Sequence, residues 1–226
     1  MSTATPTAAT TIHATSRETG RVVGRRERKK QATRGALSEA ALHLSLEHGV
    51  ENVTIEQIAD AADVSLRTFF NYFSGKEEAV VAGDSARGEL LLERFRDRPA
   101  GESVLEALQA AVQAHVEDLT EETRMEALRM MRRSPSLLAP QLAAYAERER
   151  ELAVAIGERL GEIDPDDEGT PEVGLHAALV AAVAMAAMRI AMQRWTDRPE
   201  PGARDVGTLR AMVREVFDDL AGGLTR

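Results

Sequence analysis

Cysteine is absent from all 226 residues, and with it go structural disulfides, thiolate nucleophiles, iron–sulfur clusters and cysteine-ligated zinc. A reducing, cytoplasmic setting fits that absence. Lysine is almost absent: three stand against twenty-five arginines, a usage that, with the abundant alanine, points to a GC-rich genome rather than to a function. No run of alternating β-branched residues occurs, and apolar residues instead recur at helical spacing almost throughout, so the chain reads as all-α. Long apolar runs are missing too. The longest, Ala177 to Met188, is twelve residues and ends at Arg189; it is too short to cross a bilayer and reads as a buried helix. The N-terminal stretch is small and polar with no apolar core for a signal peptide, so residues 1–22 are expected to form a disordered arm, and no membrane partner is expected.

What remains is an ordinary globular composition, 43% apolar and 29% charged, enough for one large domain or two small ones. The formal charge is −9, which taken as a sum argues against a nucleic-acid partner. Its distribution argues otherwise. Residues 1–80 hold ten basic and ten acidic side chains, so the whole deficit lies in residues 81–226. Within the neutral part, residues 17–34 carry eight cations (Arg17, Arg21, Arg25, Arg26, Arg28, Lys29, Lys30, Arg34) against two acids. A compact basic segment ahead of an acidic body is a footprint for phosphate contact, or else a solubility arm; the charge run alone does not separate the two.

Local signals divide the chain into about nine helices. The first is predicted over about Arg26 to Glu47, with Leu37, Ala41, Leu44 and Leu46 apolar, and Gly49 ends it. Thr54 opens a short second helix through a Thr-x-x-Gln capping box with Gln57, and Ile55, Ile58, Ala59 and Ala62 face inward. The stretch Ala62-Asp63-Val64-Ser65 is long enough only for a tight corner, with Ser65 as the next cap. A third helix is predicted over Leu66 to Phe73. A fourth begins at Ser74, capped by a Ser-x-x-Glu box with Glu77, and runs to about Phe95. Longer helices are predicted over about 102–119, 122–133, 141–160, 172–195 and 205–221, with breaks at Pro135 and Pro140 and in two Pro-containing loops.

On a helical wheel, Phe69, Phe73, Leu66 and Phe70 fall on one side of the third helix, and Arg67, Asn71, Thr68 and Tyr72 on the other. A short helix, a tight turn and an amphipathic helix with a hydrogen-bonding front form a helix-turn-helix, whose second helix can enter the major groove. There Arg bonds bidentately to guanine, Asn to adenine, and the Thr methyl meets thymine. The run from Gly49 and Thr54 through Ala62-Asp63-Val64-Ser65-Leu66-Arg67-Thr68-Phe69-Phe70-Asn71-Tyr72-Phe73 to Lys76-Glu77 resembles the DNA-binding signature of the tetracycline-repressor (TetR) family, over about 50 residues from Lys29 to Val80.

The resemblance implies that Leu66 to Tyr72 form the recognition helix, with Thr54 a backbone anchor and Lys76 a phosphate contact; both of these lie at helix N-termini, where free N–H groups favour an anion. Two residues depart from the family pattern. Asp63 replaces the turn glycine, and Asp tolerates the left-handed conformation better than most residues. Phe70 replaces a tyrosine that contacts DNA through its hydroxyl, leaving it an apolar contact or a place in the core. The DNA-contacting set is therefore Arg25, Arg26, Lys29, Lys30, Arg34, Thr54, Ser65, Leu66, Arg67, Thr68, Phe70, Asn71, Tyr72 and Lys76, the arm supplying sequence-independent affinity.

A lone helix-turn-helix binds DNA weakly, and a dimer that presents two recognition helices to an operator palindrome is the usual remedy. Val206, Leu209, Val213, Val216 and Leu220 repeat at three and four, and the small residues around Leu179 and Val183 allow close helix approach, so a homodimer through the last two helices is predicted. The resemblance also implies an effector cavity in the middle helices. Methionines suit an apolar pocket, and arginines in the same helices, Arg132 among them, are placed to meet an anionic group. The set assigned to that cavity is Met125, Arg129, Met130, Arg133, Met185, Met188, Arg189 and Met192. The words Arg28-Lys29-Lys30-Gln31-Ala32-Thr33-Arg34 and Phe69-Phe70-Asn71-Tyr72-Phe73 are similar to a TetR branch described as binding acyl-CoA-like ligands, some of whose members regulate mycofactocin genes.

Three functions compete. The first is a ligand-responsive regulator, most simply a repressor, with residues 1–22 as arm, 23–74 as DNA-binding domain and 75–226 as a helical effector and dimerisation domain. The second is a DNA-binding dimer with no effector. The third, an all-α enzyme, has little to work with: Ser74-Gly75-Lys76 lacks the upstream glycine of a phosphate loop, and His43, His48, His115 and His176 show no metal-ligand spacing. No metal and no cofactor are expected.

Overall fold

The computed structural model describes residues 15–119, 122–164, 172–198 and 205–223, and among these every regular element is a helix. In chain order they are α1 (Thr15–His48), a 3-10 turn (Val50–Asn52), α2 (Ile55–Ala61), α3 (Leu66–Phe70), α4 (Lys76–Arg96), α5 (Val104–Leu119), α6 (Glu122–Arg133), a 3-10 turn (Pro135–Leu137), α7 (Leu138–Leu160), α8 (Leu175–Thr196) and α9 (Val206–Ala221). The all-α expectation holds.

Four boundaries differ from expectation, each for a local reason. Helix α1 starts at Thr15 rather than about Arg26, so residues 15–22, expected as disordered arm, continue it: no proline interrupts this stretch, and Arg and Glu are good helix formers. The first fourteen residues lie outside the described ones. Helix α3 ends at Phe70, not Phe73. Ser74 does not pair with Glu77; its backbone N–H and its hydroxyl both donate to Glu78 Oε2, at 2.8 and 2.7 Å, and Gly75 becomes the residue that opens α4. Pro140 does not break α7. It sits in the helix's first turn, where a missing N–H costs nothing.

Two apolar clusters organise the molecule. The first joins Leu37 and Ala41 of α1 to Ile58, Phe69 and Phe73 and to Ala79, Val80, Val81 and Ala82 in the first turns of α4, with Ala127, Met131 and Leu137 closing it from below. Helix α4 lies close against α1, and a Cβ at Gly83 would come within 2.8 Å of the Ser38 carbonyl oxygen, so this crossing requires glycine. The second cluster is built by α4, α5, α7, α8 and α9 around Phe95, Val112, Ile156, Trp195 and Phe217. Helix α4 therefore belongs to both, its N-terminal half in one core and its C-terminal half in the other.

Helix α8 is long and apolar enough, by length and composition alone, to cross a membrane. Its alanines contribute to the hydropathy: Ala177, Ala181, Ala184, Ala187 and Ala191 are buried with Trp195, while Arg194 is exposed. At the start of α9, Asp205 accepts from the Thr208 hydroxyl and backbone N–H at 2.7 and 2.8 Å. The hydroxyl bond first, then the backbone bond, holds its carboxyl below the ordinary range. That cap is in place above the unfolded carboxyl pKa and is lost as pH falls through the depressed one.

Candidate nucleic-acid interface and effector cavity

The corner between α2 and α3 is set by short-range chemistry. Gly49 closes α1 at φ +82°, and its N–H reaches the Ser45 carbonyl at 2.9 Å. Thr54 and Gln57 form the full reciprocal capping box. Asp63 takes φ +53°, the left-handed conformation that its short polar side chain tolerates, so the corner forms without glycine. Ser65 caps α3 by accepting the Thr68 N–H at 3.2 Å, and its hydroxyl lies 2.9 Å from that of Thr68.

Phe69 is the anchor of α3, fully buried, with Phe70 edge-on at 5.5 Å and Phe73 tilted at 5.8 Å. Arg67 and Asn71 are exposed, as the helix-turn-helix reading requires; Tyr72 and Thr68 are half-buried. Two of the four aromatic and aliphatic residues assigned to the buried side are not there. Phe70 is 57% and Leu66 41% exposed. The helix has barely more than one turn, so only one residue faces squarely inward, and Phe73 reaches the core from the turn that follows rather than from the helix.

The basic segment divides in two. Arg25, Arg26, Lys29 and Lys30 are exposed on α1, with Lys30 loosely paired to Glu27 at 3.8 Å. Arg34 is half-buried, its guanidinium 5.2 Å above the Phe73 ring, so it packs on the helix-turn-helix core as well as facing solvent.

Lys76 corrects the sequence reading most sharply. Its ammonium donates to the carbonyls of Val50, Val53 and Glu51 at 2.8, 2.9 and 3.3 Å. An ammonium has three protons, and all three are spent inside the protein. Lys76 is thus a clasp between the start of α4 and the turn after α1, not a phosphate ligand. Lys76→Met should destabilise this end of the molecule by about 1 to 2 kcal/mol, the lower range for a charged donor at a half-exposed site. The salt dependence of DNA binding should be unchanged. A log–log salt slope reduced by about one, read by fluorescence anisotropy, would return the ammonium to a phosphate.

In the second cluster lies an apolar cavity of about 360 Å³, within the range of small-molecule sites. Leu91, Leu92 and Phe95 of α4 form one wall, and Met185, Met188 and Met192 of α8 form the facing one. Of the residues assigned to it, Met185, Met188, Arg189 and Met192 line it; Met125, Arg129, Met130 and Arg133 do not. Met125 is buried in the surrounding core, Met130 packs toward the first cluster, and Arg129 and Arg133 are exposed. On α6 it is Leu128 and Arg132, one helical turn apart, that face the cavity; their neighbours one residue on are rotated by about 100°.

Missed altogether were Gln141, Tyr145 and Arg148 of α7 and His115 of α5, all of which line the cavity. Arg148 stacks 5.0 Å from the Tyr145 ring centroid, and Arg132 pairs with Asp197 at 2.7 Å. His115 is buried, with Arg94 donating to its Nδ1 at 2.9 Å and to the Ala114 carbonyl at 2.9 Å. A guanidinium can only donate, so Nδ1 is the acceptor in this bond. Among the described residues no three His, Asp or Glu side chains gather as a metal site.

The model of the tetR family of bacterial regulatory proteins matches residues 37–82, and that of the MftR C-terminal domain matches residues 101–225. The HTH-type transcriptional regulator TcmR of Streptomyces glaucescens is 35% identical over 205 residues, 87% of this chain and 86% of that one. The chain belongs to the TetR family. MftR of Mycobacterium tuberculosis is 29% identical to this TetR-family chain over 137 residues, 59% of it and 69% of MftR. Thermus thermophilus FadR, a repressor of the family solved with lauroyl-CoA, has the same fold: TM-score 0.56 at 24% identity, covering 85% of this chain and 95% of that one. Its relatives are transcriptional regulators, and so this TetR-family chain is a DNA-binding regulator rather than an enzyme.

In this TetR-family chain the outer side of α8 carries an exposed aliphatic row; Leu138 and Leu142 of α7 are exposed as well. Leu175, Leu179 and Ile190 are 87%, 59% and 44% exposed, and Val183 is half-buried between them. The seam assigned to α9 is mostly not exposed. Leu209 and Val213 are buried with Phe217 against their own subunit, while Val206, Val216 and Leu220 are half-buried. A three-four repeat marks whichever face of a helix is covered, and here α5 and α8 cover it.

Proposed function

We propose that this TetR-family regulator is a cytoplasmic homodimeric repressor that binds a palindromic double-stranded DNA operator and is released by a small apolar or acyl-CoA-like effector. One observation carries the effector half of this reading. The cavity is walled by Leu91, Leu92 and Phe95, on the same helix whose first turns, Ala79 to Ala82, share one core with Phe69 of the recognition helix and whose Lys76 clasps the turn after α1. A ligand that fits only one placement of α4 favours that placement, and by as much as its affinities for the two states differ. Shifting α4 in each subunit changes the spacing of the two recognition helices, and only one spacing fits half-sites about one helical turn apart.

The cavity's chemistry supports an amphipathic ligand. Its interior is leucine, methionine and phenylalanine, while Arg132, Arg148 and Arg189 stand among its polar residues with Gln141 and Gln193. The space suits an acyl chain, with the phosphates of a CoA group left to the guanidiniums. Trp195 is the only tryptophan and lies between the cavity residues Met192 and Thr196 on α8, which makes it a reporter. Titration with acyl-CoAs of graded length should change its fluorescence saturably and release operator DNA over the same range. Replacing Arg148 and Arg189 together by Ala should weaken that response at least tenfold, the order expected for one lost charge-assisted contact. Acyl-CoAs that neither shift the melting temperature nor release DNA would remove this effector class and favour a dimer that acts without one.

A further inference from the structure

We propose that Leu66 and Phe70 form an apolar clamp that reads the 5-methyl group of thymine in the operator, making them specificity-determining residues beside Arg67 and Asn71. The inference rests on α3 entering the major groove. Leu66 and Phe70 lie one turn apart on α3 and are exposed, 41% and 57%. They stand on the edge of the helix adjoining Arg67 and Asn71: at about 100° per residue, the exposed arc runs Leu66, Phe70, Arg67, Asn71. The apolar pair is thus contiguous with the hydrogen-bonding pair and would meet neighbouring base pairs.

Phe70 is also held in place. The ring of Phe69, wholly buried, meets it edge-on at 5.5 Å with planes at 87°, and Phe73 backs Phe69 from within the core. An aromatic ring that is already oriented loses little rotamer freedom on binding. Unlike a tyrosine, it offers no hydroxyl to a phosphate or base. Pressed against the polar edge of guanine, adenine or cytosine, Leu66 and Phe70 would strip water from groups they cannot bond. The thymine methyl is the one apolar feature that an unmodified base pair presents in the major groove. The clamp therefore selects thymine at the step beside the one read by Arg67 and Asn71, and it accepts 5-methylcytosine where it rejects cytosine.

The test uses the full-length dimer and an operator defined by footprinting, with thymines replaced singly by deoxyuridine in both half-sites. Uracil keeps every hydrogen-bonding group of thymine and lacks only the methyl. At one thymine per half-site the substitution should weaken wild-type binding roughly fourfold for each methyl, about fifteenfold for both, as follows from the transfer energy of one buried carbon group. Cytosine at that step should bind more weakly than 5-methylcytosine by a similar factor. Phe70→Ala should bind the thymine and uracil operators equally. Wild-type protein that prefers its operator over scrambled DNA yet binds every uracil-substituted form as tightly as the parent would overturn the clamp while leaving groove entry intact. A Phe70→Ala variant that keeps the full thymine preference would overturn it as well. No preference for the operator over scrambled DNA would instead remove groove reading itself, and the clamp with it.

Discussion

A Leu179→Glu variant should sediment as a monomer and lose operator affinity by two to three orders of magnitude. Leu179 lies on the outer side of α8 between Leu175 and Ile190, all three exposed, and a row of exposed aliphatics of this length on one helix is uncommon in a monomeric protein. In a homodimer packed through this face the two Leu179 side chains lie near the interface, so one substitution places two carboxylates in an apolar contact. DNA affinity falls because the second recognition helix is no longer tethered. Tethering multiplies affinity by roughly 10²–10⁴ through effective concentration. Glu is a good helix former and the side chain faces outward, so the melting temperature of the monomer should change little beyond the loss of dimer stabilisation. Analytical ultracentrifugation beside operator titration decides the matter. A variant that stays dimeric would move the interface to the outer face of α9, around Ala211 and Arg214, which are exposed.

Phe69→Ala should cost about 3–5 kcal/mol and abolish operator binding. The side chain is wholly buried and touches both neighbouring rings, and its cluster is the smaller of the two, so little remains to hold α2 and α3 once it is truncated. The loss should be local. Trp195, Phe217 and Ile156 belong to the other cluster, and the tryptophan fluorescence melt should persist near its original temperature while helicity at 222 nm falls earlier. One single transition, lowered for both probes, would mean that α4 couples the two cores into one cooperative unit.

The features that were legible beforehand share a short range. The Thr54–Gln57 box, the Ser65 cap, the Gly49 stop and the left-handed Asp63 are interactions within four residues, made by residues that lie close together in the chain. The start of α3 followed from the Ser65 cap, whereas its end at Phe70 did not. Most of the features that were misread depend on partners distant in the chain; the Ser74 cap is the exception, its partner moving by one residue to Glu78. Lys76 looked like a phosphate ligand because its helix N-terminus does attract anions, yet its ammonium is taken by carbonyls 23 and 26 residues away. Arg129 and Arg133 were assigned to the cavity because α6 alone does not say which of its faces, that of Leu128 and Arg132 as it turns out, meets the cavity. Tyr145 and Arg148 were overlooked because nothing local distinguishes a cavity residue from an ordinary helix surface.

Helix periodicity, caps and turn residues act between near neighbours, so the order of residues was enough to show an all-helical chain, its helix-turn-helix corner and its family. Which stripe of α9 is covered, which arginines reach the cavity and that Phe70 stands out into solvent beside Arg67 emerged only once the helices were packed together. A three-four apolar repeat and a lone cation carry no label for their partner: burial is a property of two surfaces, and the second one is brought by a helix from elsewhere in the chain.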